Sequence, residues 1–100
     1  MDIYITDKAV NFYKNEMKLE DGAYVTLFVR VGGIGSGGFS VGMKRGKPDL
    51  DFETLLFNNV YFCIHTDERW YFDGMKIDYD DDFDEMIFTN EKIDNVTNPK

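Results

Sequence analysis

Cys63 and His65 stand two apart in a run, Val60 to His65, that alternates apolar with other residues. In a strand, side chains two apart share a face, so this thiol and imidazole can reach a common point. Together they offer two metal ligands, or a nucleophile with its base. Zinc takes four protein ligands, or three with an open position, so Cys63 and His65 fall short unless aspartates such as Asp67 supplement them or a second subunit doubles the set. The ordinary alternative is structural, a buried cysteine and a strand histidine.

Two other constellations carry less. Gly33-Ile34-Gly35-Ser36-Gly37-Gly38 matches the glycine fingerprint of dinucleotide binding, but that fingerprint needs a helix after it to meet the pyrophosphate. Here Phe39, Val41 and Met43 alternate with Ser40, Gly42 and Lys44, which predicts a strand, and the segment is expected to be a wide hairpin connection. Ser36 lacks the strand-to-helix elbow of a serine nucleophile. Asp80, Asp82, Asp84 and Glu91 occupy calcium-loop spacings one, three, five and twelve. The glycine required at position six is Glu85 and no flanking helices are predicted, so a solvated turn is expected.

The elements that would position these groups are mostly strands. Ile3–Ile5 reads as a short strand, and Thr6 caps a helix from about Asp7 to Lys18 whose Val10, Tyr13 and Met17, widened by Ala9 and Phe12, form an apolar stripe. Glu20-Asp21-Gly22 is the expected stop. Tyr24–Val31 is the clearest strand, with Val25, Leu27, Val29 and Val31 on one face. Gly46-Lys47-Pro48-Asp49 is a turn, Phe52–Phe57 an extended segment broken by Asn58-Asn59, and Val60–His65 a strand. Thr66 or Asp67 is expected to cap a single helical turn through Phe72, closed by Gly74, with Trp70, Tyr71 and Phe72 packed in the core. Met75–Tyr79 and Glu85–Thr89 make a last pair of strands. The sum is a single α+β, β-dominated domain over residues 1–90, with residues 91–100 a frayed tail.

Composition limits what such a domain can do. Its 100 residues are 43% apolar with 16% aromatic, enough for one core, and one cysteine permits no internal disulfide. That usage, the absence of a basic–apolar leader and of any apolar run near the ~20 residues of a membrane span point to a cytoplasmic protein with no membrane partner. Net charge is −8. Residues 1–50 hold seven Lys/Arg against six Asp/Glu, and residues 51–100 four against thirteen. Nucleic acid needs cationic phosphate contacts, so it is an unsuitable partner. Lys44, Arg45 and Lys47 form the one basic cluster and are expected to be solvated loop residues.

Ile5-Thr6-Asp7-Lys8-Ala9 opening a helix, Val29-Arg30-Val31-Gly32-Gly33 followed by Ser36-Gly37-Gly38-Phe39-Ser40-Val41, and Gly74-Met75-Lys76-Ile77-Asp78-Tyr79 occur in an order that resembles HesB-like domains. These are the IscA-like A-type iron–sulfur carriers, grouped with HesB/YadR/YfhF, and the likeness spans most of residues 3–90. The resemblance implies a compact β-sandwich or distorted barrel with one N-terminal helix, and a homodimer. It also implies three cysteine cluster ligands, one in the glycine loop and two in a C-terminal Cys-x-Cys. Gly35, Ser36 and Gly37 stand near the first position, residues 90–96 contain no cysteine, and Cys63 lies outside the motif. Iron–sulfur clusters are held by thiolates, and a serine hydroxyl keeps its proton at neutral pH. The expectation is therefore a cysteine-less, non-enzymatic accessory protein that holds no cofactor and binds a protein partner or small ligand through the glycine loop and the aromatic strand faces. The alternative is iron or an iron–sulfur cluster held by a dimer-shared Cys63/His65 set.

Overall fold

The structure is a computed structural model that describes residues 1–31 and 39–90. Seven strands and two helices lie among them: β1 (Tyr4–Ile5), α1 (Asp7–Met17), β2 (Tyr24–Val31), β3 (Phe39–Arg45), β4 (Phe52–Phe57), β5 (Val60–His65), α2 (Arg69–Phe72), β6 (Met75–Asp80) and β7 (Glu85–Asn90). They form a four-stranded sheet in the order β3-β2-β5-β4 and a three-stranded sheet in the order β1-β6-β7. The expected β-dominated fold is present.

Thr6 caps α1, its hydroxyl accepting from the Ala9 N–H at 3.2 Å. The same hydroxyl donates to the Asp78 carboxylate at 2.7 Å, which ties the helix start to β6. The helix runs as expected to its C-cap at Lys18, which adopts a left-handed conformation (φ 57°) and returns its N–H to the Lys14 carbonyl, so it closes before Glu20-Asp21-Gly22. Ala9 and Val10 are buried, and Tyr13 and Met17 pack on the core. Phe12 does not join them. It stacks on Tyr79 of β6, with centroids 4.5 Å apart.

Asn58 and Asn59 both take positive φ (47° and 66°) between the paired residues Phe57 and Val60. The expected break is thus a two-residue hairpin turn whose twist suits the strands it joins. Across the four-stranded sheet, Val25 and Leu27 of β2 and Val60, Phe62 and Ile64 of β5 face inward, and this one buried cluster also takes in Ile5, Val10, Phe72 and Ile77. β2 and β5 are the sheet's central strands, so β5 is flanked on both sides.

After His65 the chain turns through a 3₁₀ segment, Thr66–Glu68, into α2. His65 itself caps this turn, accepting from the Asp67 N–H at 3.1 Å, where Thr66 or Asp67 was the expected cap. β5 pairs with β2 only as far as Leu27, and the Glu68 carboxylate accepts from the Val29 N–H beyond that point at 2.6 Å. The side chain fills a place in the ladder that the neighbouring strand has left. The aromatic triplet divides: Tyr71 and Phe72 are buried, whereas Trp70 is 57% exposed. Its ring packs edge-on against Phe39, so core packing holds for two of the three.

Candidate functional site

Cys63 and His65 do share a face of β5, and it is the face turned away from the core. Register shows what surrounds them. Cys63 lies between Thr26 of β2 and Thr54 of β4, and Tyr61 between Tyr24 and Leu56. His65 lies beside Phe52. No part of Cys63 reaches solvent, although it sits outside the core cluster. The Thr54 hydroxyl lies 3.8 Å from Sγ. Burial pushes the thiol's pKa up, against smaller downward pulls from Thr54 and the Lys47 charge. Burial thus disfavours the thiolate, the form that attacks and ligates.

His65 is half-buried, and its Nδ1 is occupied as the cap acceptor. The Asp67 carboxylate stands 3.8 Å from that nitrogen, so the expected supplementary ligand is near His65. Among the described residues, Cys63 belongs to no group of three metal-ligating side chains. The group of that kind is Asp80, Asp81 and Asp82, whose ligand atoms lie within 4.8 Å of one another. Asp80 ends β6 and Asp81 and Asp82 follow it in the β6–β7 turn, so strands flank the group on both sides. Asp80 Oδ1 accepts from the Asp82 N–H at 2.9 Å, a local turn bond. Glu91, the twelfth calcium-loop position, lies outside the described residues, as do Gly35, Ser36 and Gly37, the rest of the glycine segment and the tail. The two ends of the glycine segment are set by the pairing of Val31 with Phe39.

A shallow groove runs between α1 and the β6–β7 hairpin, floored by Phe12 and Tyr79 and rimmed by Lys8, Glu16, Asp81 and Asp84. The Tyr79 hydroxyl donates to Asp84, which raises its pKa to about 12. Lys8 stands 3.8 Å from Asp81.

One expectation changes. Lys44 and Arg45 are in β3, and only Lys47 lies in the turn beyond it. Lys44 Nζ sits 5.8 Å from the Phe28 ring centroid and Lys47 Nζ 4.4 Å from that of Tyr24. Tyr24 in turn stacks on Tyr61 at 4.7 Å. Sequence reasoning set this cluster aside because it stopped at the lysines. The alternation of β2 does place Tyr24 and Phe28 on the face opposite the core, but it does not join them to the lysines.

Comparison with known proteins bears on both the fold and the site. The family model described as Iron-sulphur cluster biosynthesis matches residues 1–97. The pyruvate dehydrogenase inhibitor of Bacillus subtilis (strain 168) is 36% identical over 92 residues, 88% of this chain and 97% of that protein. The crystal structure of Escherichia coli SufA, described as involved in biosynthesis of iron-sulfur clusters, superposes with a TM-score of 0.69 at 19% identity, covering 94% of this chain and 84% of that one. A solution structure of an Aquifex aeolicus protein gives 0.57 at 20% identity over 90% and 95%. At these identities the two structures speak for the fold. Among the described residues, no helix is long and apolar enough to cross a membrane.

Proposed function

The chain belongs to the iron–sulphur cluster biosynthesis family, and from that premise we propose that it is a non-enzymatic member that acts by binding a protein partner. The observation that carries this reading is Cys63. It is the only thiol in the sequence, it has no exposed surface, and its environment favours the protonated form. A cluster needs several thiolates, with histidine an occasional replacement. One buried thiol and one half-buried imidazole do not fit that requirement. A cysteine nucleophile needs an accessible thiolate, which Cys63 does not supply.

The relative from Bacillus subtilis is named for inhibiting pyruvate dehydrogenase, and its likeness extends across nearly its whole length. On our reading this chain binds the same class of enzyme and restrains it by occupancy, which calls for a surface and no catalytic groups. A fold is inherited more readily than the site it once carried.

The test uses purified pyruvate dehydrogenase with the full chain. Binding and inhibition that saturate at a fixed stoichiometry, and that Cys63→Ser leaves unchanged, are expected. Absence of both at tens of micromolar protein, a roughly 6–7 kcal/mol threshold, refutes the assignment. A stoichiometric chromophore after anaerobic iron and sulfide reconstitution, lost in Cys63→Ser, would instead establish the dimer-shared Cys63/His65 site.

A further inference from the structure

The outer face of the four-stranded sheet differs in charge from the chain that builds it. The chain has 19 Asp and Glu. By register, none of them takes an outward position on β2, β3, β4 or β5; the strands' only acid, Glu53, points the other way with Leu55 and Phe57. Those outward positions instead hold Arg30, Lys44 and an aromatic band of Tyr24, Phe28 and Tyr61, with Lys47 adjoining. Asp49, Asp51 and Asp67 are confined to the segments between strands.

This band is laid flat. The Phe28 ring lies across β3 because residue 42 is glycine: a Cβ there would fall 2.3 Å from the ring. Leu56, 55% exposed, continues the band from Tyr61 toward the sheet edge. Among the described residues, Arg30, Lys44 and Lys47 form no ion pair within 4.0 Å. The lysines lie over rings, where a cation gains from the ring quadrupole and remains available to an anion. Aromatic enrichment with depletion of Asp and Glu is the composition of an interface centre. Self-pairing of this face would set Arg30, Lys44 and Lys47 of one copy against those of another, a like-charge arrangement.

We propose that this face docks an acidic surface of the partner enzyme, with Tyr24, Phe28 and Tyr61 as its apolar centre and Lys44 and Lys47 as its charged contacts. The inference rests on the partner-binding reading above and deepens it by naming the surface.

The experiment measures binding of the full chain to purified pyruvate dehydrogenase at low and at physiological salt, with sedimentation of the chain alone. The variants are Lys44→Glu/Lys47→Glu and, as a charge control on α1, Lys8→Glu. All three positions are exposed, and thermal unfolding verifies that each variant folds. The expected result is binding that weakens with salt, falls about tenfold or more in the double variant, and is unchanged in Lys8→Glu. Equal binding by wild type and double variant overturns the face assignment and leaves the partner reading standing. Loss of binding in wild type overturns both. Self-association removed by the double variant, with enzyme binding unchanged, assigns the face to a second copy and also overturns the proposal.

Discussion

Native Cys63 should resist alkylation, and the extent of that resistance separates a structural thiol from a functional one. Its side chain is wholly covered, and β5 is hydrogen-bonded to β2 on one side and β4 on the other. Reagent reaches Sγ only when the sheet opens. A central strand opens with a free energy near that of global unfolding, about 5 kcal/mol at the low end for a domain. At 1.4 kcal/mol per factor of ten, the native thiol should react at least ~10³-fold more slowly than the same thiol in urea. The raised pKa slows it further at neutral pH, because only thiolate attacks. The assay follows incorporation of iodoacetamide by mass at pH 7.5, with the urea-unfolded chain as reference. One label per chain in urea and almost none in the native state over the same interval is the expected pair. A native rate within about tenfold of the unfolded one, corresponding to less than ~1.4 kcal/mol of protection, would refute the reasoning. It would return Cys63 to the list of candidate ligands and nucleophiles.

Gly42→Ala should destabilise the fold by about 1–2 kcal/mol, within the usual cost of an overpacked site and net of the few tenths that alanine contributes through the unfolded chain. Thermal unfolding should show it as a drop of roughly 5–15 °C; no change would mean that Phe28 relocates without loss. The Thr6 hydroxyl, and then the Tyr79 N–H, hold the Asp78 carboxyl below its usual pKa. A group depressed in the folded state stabilises above its unfolded pKa, about 4, and loses that contribution as pH falls through the folded value. Urea unfolding measured from pH 5 down to pH 2 should therefore fall less steeply in Asp78→Asn than in wild type, and parallel curves would contradict the assignment.

The elements were legible where one periodicity dominated. Alternation in Tyr24–Val31 and Val60–His65 gave strands with the observed bounds, and Thr6 followed by a 3.6-period stripe gave α1 its start. The errors occurred where local backbone chemistry decided. The end of α1 near Lys18 was legible, but not its means, a lysine in a conformation more usual for glycine or asparagine. Asn58-Asn59 was legible as a break but not as a turn, although asparagine's tolerance of positive φ was the available signal. The capping role of His65 depends on where β5 stops, and that is a tertiary fact. For the site, spacing correctly put Cys63 and His65 on one face. It could not say that Cys63 is buried there between Thr26 and Thr54, since register between strands is unreadable in one sequence. The basic cluster was legible, but not its seat on the rings, because the aromatic partners are 16 residues distant for Lys44 and Phe28, and 23 for Lys47 and Tyr24.

Charge placement gives the protein a direction. Over Met75–Asn90 there are six Asp and Glu against Lys76 alone, and these belong to the second sheet. The outer face of the first sheet bears Arg30 and Lys44 and no acid. The acidic partner we propose would be repelled from the β6–β7 hairpin and admitted at the β2–β5 face, so the field would orient an encounter before any contact forms. A net charge of −8 would otherwise oppose such a partner at every approach. The asymmetry resolves this, because at about 8–10 Å of screening length the partner senses the nearer sheet and little of the farther one. In a cluster carrier the thiols select the cargo. On the reading we propose, with one thiol closed inside the sheet, selection falls to the surface around it.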